Sequence, residues 1–353
     1  MDKDRQGREL INLSHGGNLA LAAEQYGIPE SDWLDLSTGI APWCYDPLHI
    51  PQSIWQRLPS GDAQLVTAAA SYYGCVPESV APLSGSQQGI SLLPQLFPGC
   101  RVAIPSLGYF EHRAAWSAAG HFVVDYDPAS LQQVQSLVEA GEVDVVVVIN
   151  PNNPTTDCSE PARLLALWQQ LQQRGGCLVV DEAFADTAPE LSMAGHCDKP
   201  GLVVLRSVGK FFGLAGLRLG FMLAASEFIA RVKMTLHCWH ISGPAQYLGA
   251  KVLLDQRWQA RQRERIRGAS QQLDDLLRRY CSSPEFAIRQ SPLFGSIFCP
   301  QTSGEGLFEQ LARRGIWVRR FALPQQRYCL RIGLPGDESQ WQRLSRAFEE
   351  IFL

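Results

Sequence analysis

Val204-Leu-Arg-Ser-Val-Gly-Lys-Phe-Phe-Gly-Leu-Ala-Gly-Leu-Arg-Leu-Gly-Phe221 is the stretch on which the reading of this chain turns. One apolar run, Leu202 to Leu205, enters it, and another, Leu217 to Leu223, leaves it. Lys210 lies between them with no carboxylate nearby in sequence. An ammonium buried without a partner is costly, so such an amine loses its proton readily and becomes nucleophilic. Schiff-base chemistry needs that property. Ser207, just before it, and Arg218, just after, both suit an anion. Glycines 209, 213, 216 and 220 admit close backbone approach. The competing reading of Gly209-Lys210 is a nucleotide phosphate loop. Such a loop needs a glycine five residues before its Gly-Lys pair and a hydroxyl residue after it. Val204 and Phe211 stand there instead. A plain surface loop is the other alternative, and the rest of the chain decides.

Upstream, strand-like and helical segments alternate. The strand-like runs are Arg101–Pro105, His121–Tyr126, Val143–Asn150, Cys177–Glu182, Leu202–Ser207 and Leu217–Leu223. Helical patterns cover Phe110–Ala119, Ala129–Ala140 and Glu160–Arg174. Near-continuous apolar runs such as Val143 to Ile149 mark strands buried on both faces. The pattern predicts an α/β fold with a mostly parallel, helix-covered sheet. Ligands in such sheets bind beyond the carboxyl ends of the strands. Tyr109, Asn150-Pro-Asn-Asn-Pro-Thr155, Asp181-Glu-Ala-Phe184, Ser207 and Lys210 all stand at such ends. Within Pro82–Pro94 a Gly/Ser turn opens a helix, making Ser86 and Gln87 first-turn donors to an anion, or Ser86 a plain cap.

The flanks carry fewer signals. Ser14-His-Gly-Gly-Asn18 precedes a helical pattern over Leu19–Tyr26 and reads as a turn or a binding motif. Ala245 to Tyr280 reads as one long helix, with a solvated basic stripe from Arg257 to Arg267. Ile316–Arg320 and Tyr328–Gly333 read as strands of a smaller sheet. Each carries an arginine, Arg319 and Arg331, that is either a surface charge or an anion ligand. His237 and His240 have no third ligand close by, so no metal site is expected.

At 353 residues the chain exceeds one comfortable core. The expected division is a large domain over 45–245, with 1–44 and 246–353 forming a smaller one. A net charge of -4 argues against nucleic acid and anionic membranes as partners. The ten cysteines include no C-x-x-C pair and read as reduced thiols. No apolar run reaches the roughly 18 residues of a membrane span, and Met1-Asp-Lys-Asp-Arg-Gln-Gly-Arg8 is too polar for a signal peptide. A cytoplasmic protein is expected.

Asn150-Pro-Asn-Asn-Pro-Thr, Asp181-Glu-Ala-Phe, Ser207-x-x-Lys-x-x-x-x-x-Gly-x-Arg-x-Gly and Leu330-Arg-Ile, taken together, resemble the fold-type I pyridoxal-phosphate enzymes of the class I/II aminotransferase superfamily. The resemblance runs over nearly the whole chain. It implies the aspartate-aminotransferase-like fold: a large doubly wound, mostly parallel sheet domain and a smaller α+β domain. Within that superfamily, His15-Gly-Gly-Asn, Leu34-Asp-Leu-Ser and Asp181-Glu-Ala-Phe look like the L-threonine-O-3-phosphate decarboxylases of cobalamin biosynthesis, whose relatives are the histidinol-phosphate aminotransferases.

The resemblance implies roles. Lys210 would carry pyridoxal 5'-phosphate and move protons. Asp181 would pair with the pyridine nitrogen, Tyr109 stack on the ring and Asn153 bind its phenolic oxygen. Ser86, Gln87, Ser207 and Arg218 would hold the cofactor phosphate, and Arg331 the substrate carboxylate. His15 and Arg319 would read a second anion on a phosphorylated amino acid. Two departures stand out. Phe184 replaces a usual tyrosine, leaving Asn153 to contact the phenolic oxygen. Leu58-Pro-Ser-Gly-Asp62 lacks a tyrosine that often reaches the partner subunit, though a homodimer is still implied. The implied reaction is a decarboxylation. An aminotransferase acting on a substrate such as histidinol phosphate, or a non-catalytic regulator of the same fold, are the alternatives.

Overall fold

The computed structural model describes residues 16–46 and 49–352; His15 lies outside them. The described strands begin with β1 (Leu34–Asp35), β2 (Val80–Leu83), β3 (Arg101–Pro105), β4 (Phe122–Tyr126), β5 (Val145–Ile149), β6 (Cys177–Asp181), β7 (Leu202–Ser207) and β8 (Gly220–Ala224). The remainder are β9 (Ala287–Ser291), β10 (Phe294–Pro300), β11 (Ile316–Trp317), β12 (Arg319–Leu323) and β13 (Arg327–Gly333). The chain divides into two units. One runs from Cys44 to Gln262, and the other combines the residues up to Trp43 with Arg263 onward.

The larger unit holds a seven-stranded sheet of order β2-β8-β7-β6-β5-β3-β4. From β4 to β7 every pairing is parallel, while β8 runs antiparallel to both of its neighbours. β5, β6 and β7 are buried at every residue, as their apolar runs require, and the polar ends Asp181, Arg206 and Ser207 are buried with them. One sheet face packs Val145, Val147, Val179, Val203 and Leu205 against Trp116 from the helix Glu111–Ala118.

Three expected elements differ. The long helix breaks at Asp255 into Gly243–Leu254 and Gln256–Tyr280. Asp255 Oδ1 accepts from the Trp258 backbone N–H at 2.9 Å, so its side chain caps the second helix. The first helix packs on Ala63–Tyr73, and Gln262 Nε2 donates to the Phe211 carbonyl, so the larger unit continues past residue 245. The run from Leu217 becomes a strand only at Gly220, because Arg218 takes a left-handed conformation at φ 51. β2 contains Pro82 and is an edge strand, where a missing N–H is tolerated.

In the smaller unit β1 pairs in parallel with β11, and β12-β13-β10-β9 form an antiparallel sheet. The segment expected as one strand over Ile316–Arg320 therefore splits at Val318 between two sheets. Among the described residues, no helix is long and apolar enough to cross a membrane.

Candidate active site

The carboxyl ends of β5, β6 and β7 are in register. Ile149 pairs with Asp181, Asp181 with Leu205, and Ser207 with Gly220 of β8. Beyond the ladder the Asn150 N–H reaches the Asp181 carbonyl at 2.8 Å and the Glu182 N–H reaches Leu205 at 2.9 Å. The polar residues singled out in the larger unit thus sit on one rigid edge.

Asp181 is 3% exposed, and its Oδ2 lies 2.8 Å from His112 Nε2, on a histidine with no exposed surface. The Ala183 N–H donates to Oδ1 at 3.0 Å. Alternation puts Asp181 on the sheet face shared with Val179, the face that Trp116 covers. His112 stands one helical turn before Trp116 and so meets the carboxylate. The sequence reading missed His112. Its spacing four residues ahead of a core tryptophan was the available signal.

Tyr109 donates its hydroxyl to Gln87 Oε1 at 2.9 Å, and Gln87 Nε2 donates to Glu111 at 3.1 Å. The Gln87 side chain is thereby committed to fixing Tyr109, which leaves its backbone N–H for an anion. Asn152 donates to the Leu107 carbonyl at 2.8 Å, which ties the Asn150–Thr155 loop beside Tyr109, and Asn153 is 9% exposed within that loop.

The anion-binding candidates also converge. The helix Ser86–Leu92 starts after Gly85 with no side-chain cap. A Cβ at Gly85 would lie 2.6 Å from Arg218 Nη2, and one at Gly220 would lie 2.5 Å from the Ser86 nitrogen. Both glycines leave room for the Arg218 guanidinium and the Ser86 N–H to reach one spot, with Ser207 opposite Gly220. A non-glycine residue in the left-handed region costs about 1–2 kcal/mol. At that strained position the Arg218 guanidinium lies where a Cβ on Gly85 would stand. Lys210 is half-buried, with Nζ over the Phe184 ring at 5.4 Å from its centroid.

Behind this edge lies a buried ion cluster that the sequence reading also missed. Arg206 donates to Glu182 at 2.5 Å and to Asp186, and its guanidinium stacks 4.7 Å from the Tyr73 ring. Burial opposes the Arg206 charge, and Asp186 and Glu182 outweigh it, raising its pKa. Glu182 follows Asp181 and Arg206 precedes Ser207, so the cluster clamps the two strand ends together. Breaking such a buried pair costs roughly 3–5 kcal/mol.

In the smaller unit Arg319 and Arg331 stand directly opposite each other on β12 and β13, 9% and 4% exposed. Arg331 donates to the Ser37 carbonyl. The Gly17 N–H donates to Ser37 Oγ at 2.8 Å, so the glycines after His15 lie beside Arg331's partner. Like charges directly opposite in a sheet destabilise it. Two buried guanidiniums in that relation suit anionic groups. His240 Nδ1 and Nε2 face the carbonyls of His237 and Pro82 at 3.0 and 3.1 Å.

Residues 53–348 match the family model described as aminotransferase class I and II. A threonine-phosphate decarboxylase of Pseudomonas aeruginosa is 46% identical over 335 residues, covering 95% of this chain and 97% of that protein. A second, from a Sinorhizobium species, is 38% identical over 351 residues, covering 97% and 99%. The fold is also that of histidinol-phosphate aminotransferase from Sinorhizobium meliloti, solved with pyridoxal-5'-phosphate. The TM-score is 0.83 at 21% identity, over 95% of this chain and 94% of that one.

Proposed function

The chain belongs to the class I and II aminotransferase family, and from that premise we propose that it decarboxylates L-threonine O-3-phosphate to (R)-1-amino-2-propanol phosphate, a step of cobalamin biosynthesis. The observation that carries this reading is the near-full-length identity of 46% and 38% to two threonine-phosphate decarboxylases. Pyridoxal 5'-phosphate is the cofactor. When bound, it accepts the electron pair left by a bond broken at the substrate α carbon.

The residues present fit that group. Lys210 supplies the amine that anchors it. Asp181, fixed by His112 and the Ala183 N–H, keeps the pyridine nitrogen protonated. Tyr109, fixed by Gln87, packs against the ring, and Asn153 binds the phenolic oxygen. The Ser86 and Gln87 N–H groups, Ser207 and Arg218 hold the phosphate where side chains at 85 and 220 would intrude. For the substrate, Arg331 takes the carboxylate, while Arg319 and His15 read the phosphate. In this reading the carboxylate is the group lost. Lys210 Nζ then supplies the proton that replaces it. The opposed, buried pair Arg319 and Arg331 supports a substrate with two anionic groups.

A product assay with L-threonine O-3-phosphate tests the reading, with unphosphorylated L-threonine as control. Carbon dioxide should appear without consumption of a keto acid, and L-threonine should react poorly. Keto-acid consumption without carbon dioxide would replace this reading with aminotransfer.

We also propose a homodimer. Trp55, Leu58 and Leu254 are 64%, 66% and 59% exposed in the larger unit. Ile54 and Leu58 line one groove with Tyr247 of the helix that ends at Leu254. Exposed apolar side chains beside such a groove suit a contact with a second copy of the chain. Sedimentation should give twice the chain mass, and Trp55→Asp should reduce it to a monomer. A wild-type monomer would end this proposal.

A further inference from the structure

Two thiols with no role assigned above meet in the larger unit. The Cys197 S–H donates to the Cys75 sulfur, and both cysteines are free. Cys75 is half-buried, whereas Cys197 is 1% exposed. Their backbones are fixed. Gly74 ends the helix Ala63–Tyr73 in the left-handed region at φ 71, and the Cys75 N–H after it donates to the Ala70 carbonyl at 3.0 Å. The Cys197 N–H donates to the Ala194 carbonyl at 3.1 Å. One ion cluster holds both segments. Tyr73, two residues before Cys75, lies 4.7 Å from the Arg206 guanidinium, which donates to Glu182. Glu182 accepts at 2.6 Å from the N–H of Met193, four residues before Cys197. Thiols that point apart cannot be bridged without backbone movement, and these two already meet.

The pair is asymmetric. The hydrogen bond from Cys197 holds the Cys75 thiol below its ordinary range, against the opposing effect of burial. The same bond, together with burial, pushes Cys197 up. A thiolate is the nucleophilic form, and Cys75 is also the sulfur closer to solvent. We propose that Cys75 and Cys197 form an oxidation site that closes reversibly to a disulfide, with a hydroperoxide such as hydrogen peroxide as the oxidant. The Cys75 thiolate attacks one peroxide oxygen, the O–O bond breaks, and hydroxide leaves with the electron pair and is protonated to water. The Cys197 sulfur then attacks the sulfur of the Cys75 sulfenic acid. An S–S bond forms, the S–O bond breaks, and the hydroxyl leaves as water with the Cys197 proton. The two thiols together lose two electrons, and one peroxide gains them. The new bond encloses β2 to β6 in one covalent loop. Because the sulfurs already touch, the strand ends bearing Asp181 and Ser207 stay in place. The disulfide is therefore a stabilising lock that leaves turnover intact. It does not depend on which reaction the protein catalyses.

The test treats the holoenzyme with hydrogen peroxide, blocks the remaining thiols and maps peptides by mass spectrometry without reductant. The parent should yield one linked pair, Cys75 with Cys197, two hydrogens lighter than the separate peptides and reopened by dithiothreitol. The map separates this link from oxidation of the exposed Cys44, Cys158 and Cys238. The melting temperature should rise by roughly 5 °C or more, as a crosslink closing a long loop implies. In Cys197→Ser the sulfenic acid should persist at Cys75 and be trapped by dimedone, while in Cys75→Ser the thiol of Cys197 should stay unmodified. The parent map needs no variant, so a substitution that fails to fold leaves the test decided. If peroxide leaves Cys75 and Cys197 both open to alkylation, or oxidises Cys75 without joining it to Cys197, the assignment is wrong. Trapping at Cys197 in Cys75→Ser would overturn the roles given to the two sulfurs. Turnover that falls in step with crosslinking, measured against peroxide-treated Cys75→Ser, would overturn the lock.

Discussion

Lys210→Ala should release carbon dioxide from L-threonine phosphate about a thousandfold more slowly than the parent, or not measurably. Two losses combine in this variant. On the proposed roles, the amine that anchors the cofactor is gone, and so is the group that returns a proton to the α carbon. No other lysine lies within the 204–221 stretch that connects β7 to β8. A neighbouring amine therefore cannot substitute without moving a strand end. The fold should survive, because Lys210 is half-buried rather than part of the core. Borohydride reduction of the parent, followed by peptide mass spectrometry, should find the pyridoxyl group on Lys210. Label on a different lysine, or turnover near the parent rate in the variant, would sink the assignment.

Asp181→Asn should keep the cofactor and lose about a hundredfold or more in turnover. A carboxylate beside a pyridinium raises the pKa of the ring nitrogen, and each unit is worth 1.36 kcal/mol. Asparagine has nearly the same shape and removes only the charge. With the nitrogen neutral, the ring withdraws electrons poorly and the departing carboxylate leaves its electron pair at greater cost. Phosphate and amine contacts are untouched, so the cofactor should still titrate into the apoenzyme stoichiometrically. The pair of measurements separates roles: cofactor retained with turnover lost supports an electronic one. Turnover near the parent value would show that the acid serves only the fold, through His112 at 2.8 Å and the Ala183 N–H.

Much of the larger unit was legible in the chain. β3 and β7 have the bounds expected of them, because each is a short apolar run with an abrupt polar end. The ends of β6 and β7 carry Asp181 and Ser207, with Lys210 just beyond. What misled was local ambiguity. Asp255 carried the capping chemistry to split the long helix, yet helical periodicity continues on both sides of it.

The sequence by itself determined that a mostly parallel sheet forms and that its strand ends carry an amine, an acid, an aromatic ring and amides. Those features are local, written in burial periodicity and in residue type at a strand's end. Only the tertiary structure decided which groups serve them. His112 meets Asp181 across 69 residues of chain, and Arg206 reaches back 24 to Glu182 and 20 to Asp186. Arg218 meets Gly85, and Phe184 turns its ring beneath Lys210. These partners are chosen by sheet register and helix packing, which sum many weak burial terms over distant residues. No short window of sequence holds that sum.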